Sequence, residues 1–100
     1  MEEKRAIEEF LGYLKEHFGE RLYGVYLFGS YVRGDYTEES DVDILVVGDL
    51  TLDDILDEVF RILMDYGVLL NVIVEKPEEF ERWKGTSFHR TVLSEGIKIY

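Results

Sequence analysis

The stretch that decides the fold reads Leu22-Tyr23-Gly24-Val25-Tyr26-Leu27-Phe28-Gly29-Ser30 and, after ten intervening residues, Asp41-Val42-Asp43-Ile44-Leu45-Val46-Val47. Both apolar runs are dense in aliphatic and aromatic residues, the composition of short buried β-strands. Gly29 and Ser30 end the first strand. Ser30 then opens a helical turn that closes near Gly34, ahead of a polar loop over 35–40.

Outward from these strands the elements alternate. Ile7, Phe10, Leu11, Leu14 and Phe18 recur at helical spacing, so residues 2–18 should form an amphipathic helix stopped by Gly19. After the second strand, Thr51 is placed as an N-cap, Asp54 as its capping-box partner, and Leu50 and Ile55 as a hydrophobic staple. These predict a helix over 52–66, with Ile55, Leu56, Val59, Phe60 and Leu63 as its buried stripe and Gly67 as its stop. A third strand follows over 68–75. Pro77 opens a short helix that Gly85 closes, and a last helix covers 87–95. The order predicts a small sheet with helices packed on it.

Composition sets the bounds. A chain of 100 residues is the size of one domain, taken here as 1–100, and with 46% hydrophobic and 14% aromatic residues it can build a core despite 33% charge. Eleven Lys and Arg against 22 Asp and Glu leave a net charge of -11, the wrong sign for gripping nucleic acid by its phosphates. The excess is local: residues 35–65 carry 11 acids and 1 base. With no Cys, disulfides and thiol chemistry are excluded. No apolar run is long enough to cross a bilayer, and Met1-Glu2-Glu3-Lys4-Arg5 does not begin a signal peptide, so a soluble, cytoplasmic protein without a membrane role is expected. One Asn and no Gln is a composition that heat-adapted proteins favour.

The chemistry gathers where the two strands meet. Glycine lets an anion approach the backbone, and Ser30 adds a hydroxyl at the start of a helical turn. Asp41 and Asp43, two apart on a strand, should share a face, where paired carboxylates repel each other unless a cation lies between them. Oxygen ligands suit Mg²⁺. A phosphate cradle beside a metal-holding carboxylate pair is the equipment of nucleotidyl transfer. Alone, each half also has a plain reading: Gly-Ser after a strand is a common turn, and Asp-x-Asp a common solvated strand end.

Taken in order, Phe28-Gly29-Ser30-Tyr31-Val32-Arg33-Gly34-Asp35 and Ser40-Asp41-Val42-Asp43-Ile44-Leu45-Val46 resemble the signature of the DNA polymerase β-like nucleotidyltransferase superfamily, in particular its minimal nucleotidyltransferases. The tail, Pro77-Glu78-Glu79-Phe80 and then Phe88-His89-Arg90 through Gly96-Ile97-Lys98-Ile99-Tyr100, is similar to the end of small prokaryotic members. The resemblance implies an α+β fold, an α/β two-layer arrangement of a small mixed sheet of three or four strands with helices packed on it. It implies a nucleoside triphosphate, taken as ATP, at Gly29, Ser30, Arg33 and Ser40. It also implies Mg²⁺ or Mn²⁺ on Asp41 and Asp43, with a third carboxylate on a later strand. That third position falls on Asn71, whose carbonyl could ligate weakly but whose amide cannot accept a proton. Glu75 shares the face but lies about 13 Å further along at ~3.3 Å per residue.

Two functions follow from the resemblance. One is transfer of a nucleoside monophosphate, AMP from ATP, to a hydroxyl; stand-alone domains of this size resemble the antitoxin halves of HEPN toxin pairs, some of which modify a toxin tyrosine. The alternative is a catalytically degenerate module of the same fold that neutralises a partner by contact, and Asn71 favours it. Arg33 either meets phosphate or faces solvent, and Ser40 either caps the strand entry or reaches a phosphate. Tyr31 and Tyr36 beside the cradle either pack or stack on a base. His17 reads as a surface residue, His89 has no second ligand in view, and Trp83 reads as core or interface.

Overall fold

A computed structural model describes residues 2–35, 37 and 41–100. Helix α1 spans Glu2–Phe18, strand β1 Leu22–Phe28, the short helix α2 Ser30–Arg33 and strand β2 Val42–Gly48. A 3-10 turn over Leu52–Ile55 leads into α3, Leu56–Tyr66, and then come β3 (Leu70–Glu75), α4 (Pro77–Trp83), α5 (Ser87–Glu95) and β4 (Ile97–Lys98). The four strands form one mixed sheet in the order β3-β2-β1-β4. β1 runs antiparallel to both β2 and β4, whereas β2 and β3 are parallel and therefore need α3 as their crossover.

Strand alternation divides the core. Val25 and Leu27 of β1, Val42, Ile44 and Val46 of β2 and Leu70 of β3 face α1 and α3, and with Ala6, Phe10, Leu14, Ile55 and Ile62 they form the main cluster. Leu45 and Val47 point the other way, to Val92 of α5 and the half-buried Tyr26, Phe28, Ile73 and Phe80. Asp43 and Asn71 are in phase with this second set, so the candidate site shares its face with α4 and α5 rather than with the main core.

Most of the expected elements are present, with three differences. The helix expected over 52–66 begins as the 3-10 turn; Thr51 N–H donates to Asp54 Oδ2 at 2.9 Å, and Leu50 and Ile55 are both buried. The buried stripe of α3 is rotated from the expected one. Phe60 is 57% exposed, while Ile62 and Glu58 are buried. The cause is Arg61, whose guanidinium holds Glu58 with Nε–Oε1 at 2.8 Å and Nη2–Oε2 at 2.7 Å, so a carboxylate can turn inward. Arg61 also reaches Glu9 of α1, and Tyr66 donates to the same Glu9, which links the two helices at their edge. The third difference is β4. Gly96 N–H donates to Val92 O at 2.8 Å, and a Cβ at Gly96 would overlap the carbonyls of Val92 and Leu27, so only glycine lets the chain turn from α5 onto β1 so closely. Among the described residues, no helix is long and apolar enough to cross a membrane.

Candidate active site

Gly29 is the hinge of the site. It leaves β1 with φ 79° and ψ -158°, a region open to glycine alone, and precedes α2, whose Val32 and Arg33 N–H groups both donate to Gly29 O, at 3.1 and 3.0 Å. Across the ladder, Asp43 pairs with Phe28 on β1 and with Asn71 on β3. A Cβ at Gly29 would overlap Asp43 Oδ2 and lie 3.0 Å from Asp43 Cγ. The carboxylate therefore occupies the space that the missing side chain leaves. Its other oxygen, Oδ1, accepts a hydrogen bond from Asn71 Nδ2 at 2.8 Å.

Gly29, Asp43 and Asn71 are thus in contact, and Ser30, half-buried, opens α2 next to them. Asp41 lies immediately before β2, half-buried, beside Val42, whose N–H donates to Leu69 O at 3.0 Å. Arg33 faces solvent and pairs with Asp35, Nε to Oδ2 at 3.6 Å. Tyr31 is half-buried and packs against the main core. Ser40 and Tyr36 lie outside the described residues.

The donor chemistry suits a divalent cation. Asp41 and Asp43 are hard oxygen donors, and with Nδ2 turned to Asp43 the Asn71 carbonyl remains as an acceptor. Among the described residues no three His, Cys, Asp or Glu side chains form a metal-binding group.

Glu75 lies away from the Asp43–Asn71 pair and is engaged elsewhere. It stands opposite Val47, four residues beyond the Asp43–Asn71 pair, and both of its oxygens meet His89 Nε2, at 2.8 and 2.9 Å. His89, 5% exposed, lies between the rings of Phe80 and Phe88, and its Nδ1 is 3.2 Å from Thr86 Oγ1. The Thr86 hydroxyl in turn donates to Trp83 O at 2.7 Å. Sequence reasoning left His89 without a partner. The signal was available, since alternation along β3 puts Glu75 on the Asn71 face and Val92 marks the inward side of α5 three residues from His89. Phe88 also packs edge-on against Phe28, with centroids 5.4 Å apart, which ties α5 to the residue just before Gly29. Trp83, read as core or interface, is 48% exposed, and His17 is at the surface as expected.

A cavity of about 320 Å³ lined by Tyr23, Tyr26, Val47, Pro77 and Phe80 is separate from this site, being at the Val47 end of the same face.

Comparison with known proteins fits this geometry. The chain matches the nucleotidyltransferase domain family over residues 7–99. It is 50% identical over 100 residues to the "Putative protein adenylyltransferase" of Methanocaldococcus jannaschii, covering 100% of each chain. Among solved structures it is similar to a "putative minimal nucleotidyltransferase", with 28% identity and a TM-score of 0.66 over 95% of this chain and 89% of that one. It also shares the fold of a chain in the complex of tri-AMPylated Shewanella oneidensis HEPN toxin with MNT antitoxin, with 20% identity and a TM-score of 0.56 over 100% of this chain and 72% of that one. A glycine hinge seated on a strand carboxylate, within a four-stranded mixed sheet and a family match over nearly the whole length, places this chain in the nucleotidyltransferase domain family.

Proposed function

We propose that the protein transfers AMP from ATP to a hydroxyl of a protein partner, a tyrosine of a HEPN-type toxin, and so acts as the antitoxin of such a pair. The observation that carries the reading is the Asp43 carboxylate lodged against Gly29 at the start of α2, which brings a would-be metal ligand and a would-be phosphate cradle together. The relative from Methanocaldococcus jannaschii, named as a protein adenylyltransferase, supports the choice of AMP and of a protein acceptor. The HEPN–MNT complex, a likeness of fold, suggests the kind of partner.

In this reading Gly29 and Ser30 bind the triphosphate, with Arg33 and Ser40 as further phosphate contacts, and Asp41 and Asp43 hold Mg²⁺ or Mn²⁺. When bound, the ion would offset the charge that builds up on the phosphate oxygens during in-line displacement. The acceptor hydroxyl attacks the α-phosphorus, its new oxygen–phosphorus bond replacing the bond to pyrophosphate, while Asp43 is kept in place by Asn71. The hydroxyl proton must leave to water or to a base other than Asn71, because an amide does not take it. That same residue favours a second reading, a module of this fold that silences its partner by contact alone.

Incubation with ATP labelled on the α-phosphate, Mg²⁺ and the protein that co-purifies with the chain separates the two. Label on the partner that disappears with Asp43→Asn supports transfer. A partner that stays bound yet never acquires label supports the contact reading.

A further inference from the structure

Helix α3 has two apolar sides, and the sheet uses only one. Ile55, Val59 and Ile62 are buried in the main core, whereas Leu56, Phe60, Leu63 and Met64, spaced as neighbours on a helix surface, form a second strip. Phe60 is 57% and Met64 77% exposed, and Leu52, one turn before Leu56, is 44% exposed. A single exposed apolar side chain is ordinary; a row along one helix marks a contact surface.

Charge decides what covers it. The strip is flanked by exposed carboxylates, Asp53, Asp57 and Asp65. The one cation on the helix, Arg61, is held by Glu9, Glu58 and Asp65. A second copy of this chain docked strip to strip would bring Asp53 and Asp57 together with their counterparts, and Arg61 is already taken up by its own three carboxylates. Anionic membranes and nucleic acids are repelled for the same reason. We propose that the outer face of α3 is the docking surface for a protein partner that presents apolar side chains within a Lys- and Arg-rich rim. Asp43 faces the other side of the sheet, so a partner seated on α3 leaves the site open. The surface does not depend on the chemistry at Asp43.

The test uses the intact chain and a labelled helical peptide of about 18 residues with Leu and Phe at i, i+3, i+4 and i+7 and Lys and Arg on its flanks. Its acidic twin has Glu at every basic position. Anisotropy titrations at roughly 150 mM salt should show the basic peptide binding the natural chain at least about tenfold tighter than Phe60→Ser/Met64→Ser, a variant of unchanged charge. The acidic twin should not bind. Amide chemical-shift changes in the natural chain should centre on residues 56–64, a readout that does not rely on the variant. Equal affinity for the natural chain and the variant, shifts centred elsewhere, or absence of binding would overturn the proposal. So would a dimer of the natural chain that the double substitution dissociates, since that would make a second copy the occupant.

Discussion

At residue scale the site depends on one absent side chain. Gly29 combines a backbone conformation that other residues avoid with a carboxylate where its Cβ would be. Gly29→Ala therefore costs about 1–3 kcal/mol in backbone strain, and more once Asp43 is displaced. Thermal unfolding should register the loss, and ATP binding should fall with it because Asp43 can no longer keep its place. Asn71 is the other decisive residue. Its amide holds Asp43 by a neutral donor, where an acid would add charge and a proton acceptor. Asn71→Asp should raise label transfer to the partner at least about tenfold, since general-base help is commonly worth 10²–10⁴-fold. An unchanged rate would mean that the base comes from elsewhere.

Among the elements, the joint between α1 and α3 is electrostatic at its edge. The Tyr66 hydroxyl, and after it the Arg61 guanidinium, hold the Glu9 carboxyl below the usual carboxylate range, and the Thr51 N–H does the same for Asp54. A lowered folded value means that this stability is fully present above the ordinary carboxylate pKa of about 4 and is lost as pH falls through the lowered values. Arg61→Met should unfold at lower temperature than the natural chain near neutrality, and the gap should narrow as pH drops from about 5 to 3. A gap independent of pH would mean that Arg61 contributes through packing only. This joint also shows where sequence reading stops. Period and caps predicted the strands and helices, because Thr51, Asp54, Gly67 and Pro77 act through local geometry. The rotation of α3 was not legible, because hydrophobicity alone sends Phe60 inward and Glu58 outward. In the folded chain Arg61 holds Glu58 together with Glu9 of α1, and Glu58 is buried while Phe60 is exposed. β4 was missed as a distinct strand for a similar reason: two residues beside β1 owe their conformation to Gly96 and to the strand they join.

For the molecule as a whole, fold and charge have to be read together. Much of the site was readable because its parts lie at the ends of two adjacent strands, and the Phe28–Asp43 register follows once those strands pair. The Glu75–His89 pair was legible only by halves: alternation along β3 and the inward side of α5 point to each residue, but their meeting across 14 residues comes from the packing of α5 on β3. A chain with net charge -11, and with 11 acids against 1 base over residues 35–65, should repel a triphosphate unless a divalent ion mediates. Calorimetric titration of ATP into the chain, with Mg²⁺ and then in excess chelator, tests this most directly because it needs no acceptor. The expected result is binding at least about tenfold tighter with Mg²⁺, reduced to the chelator level by Asp43→Asn. Equal affinity with and without the ion, or an Asp43→Asn variant that binds as the natural chain does, would contradict the account.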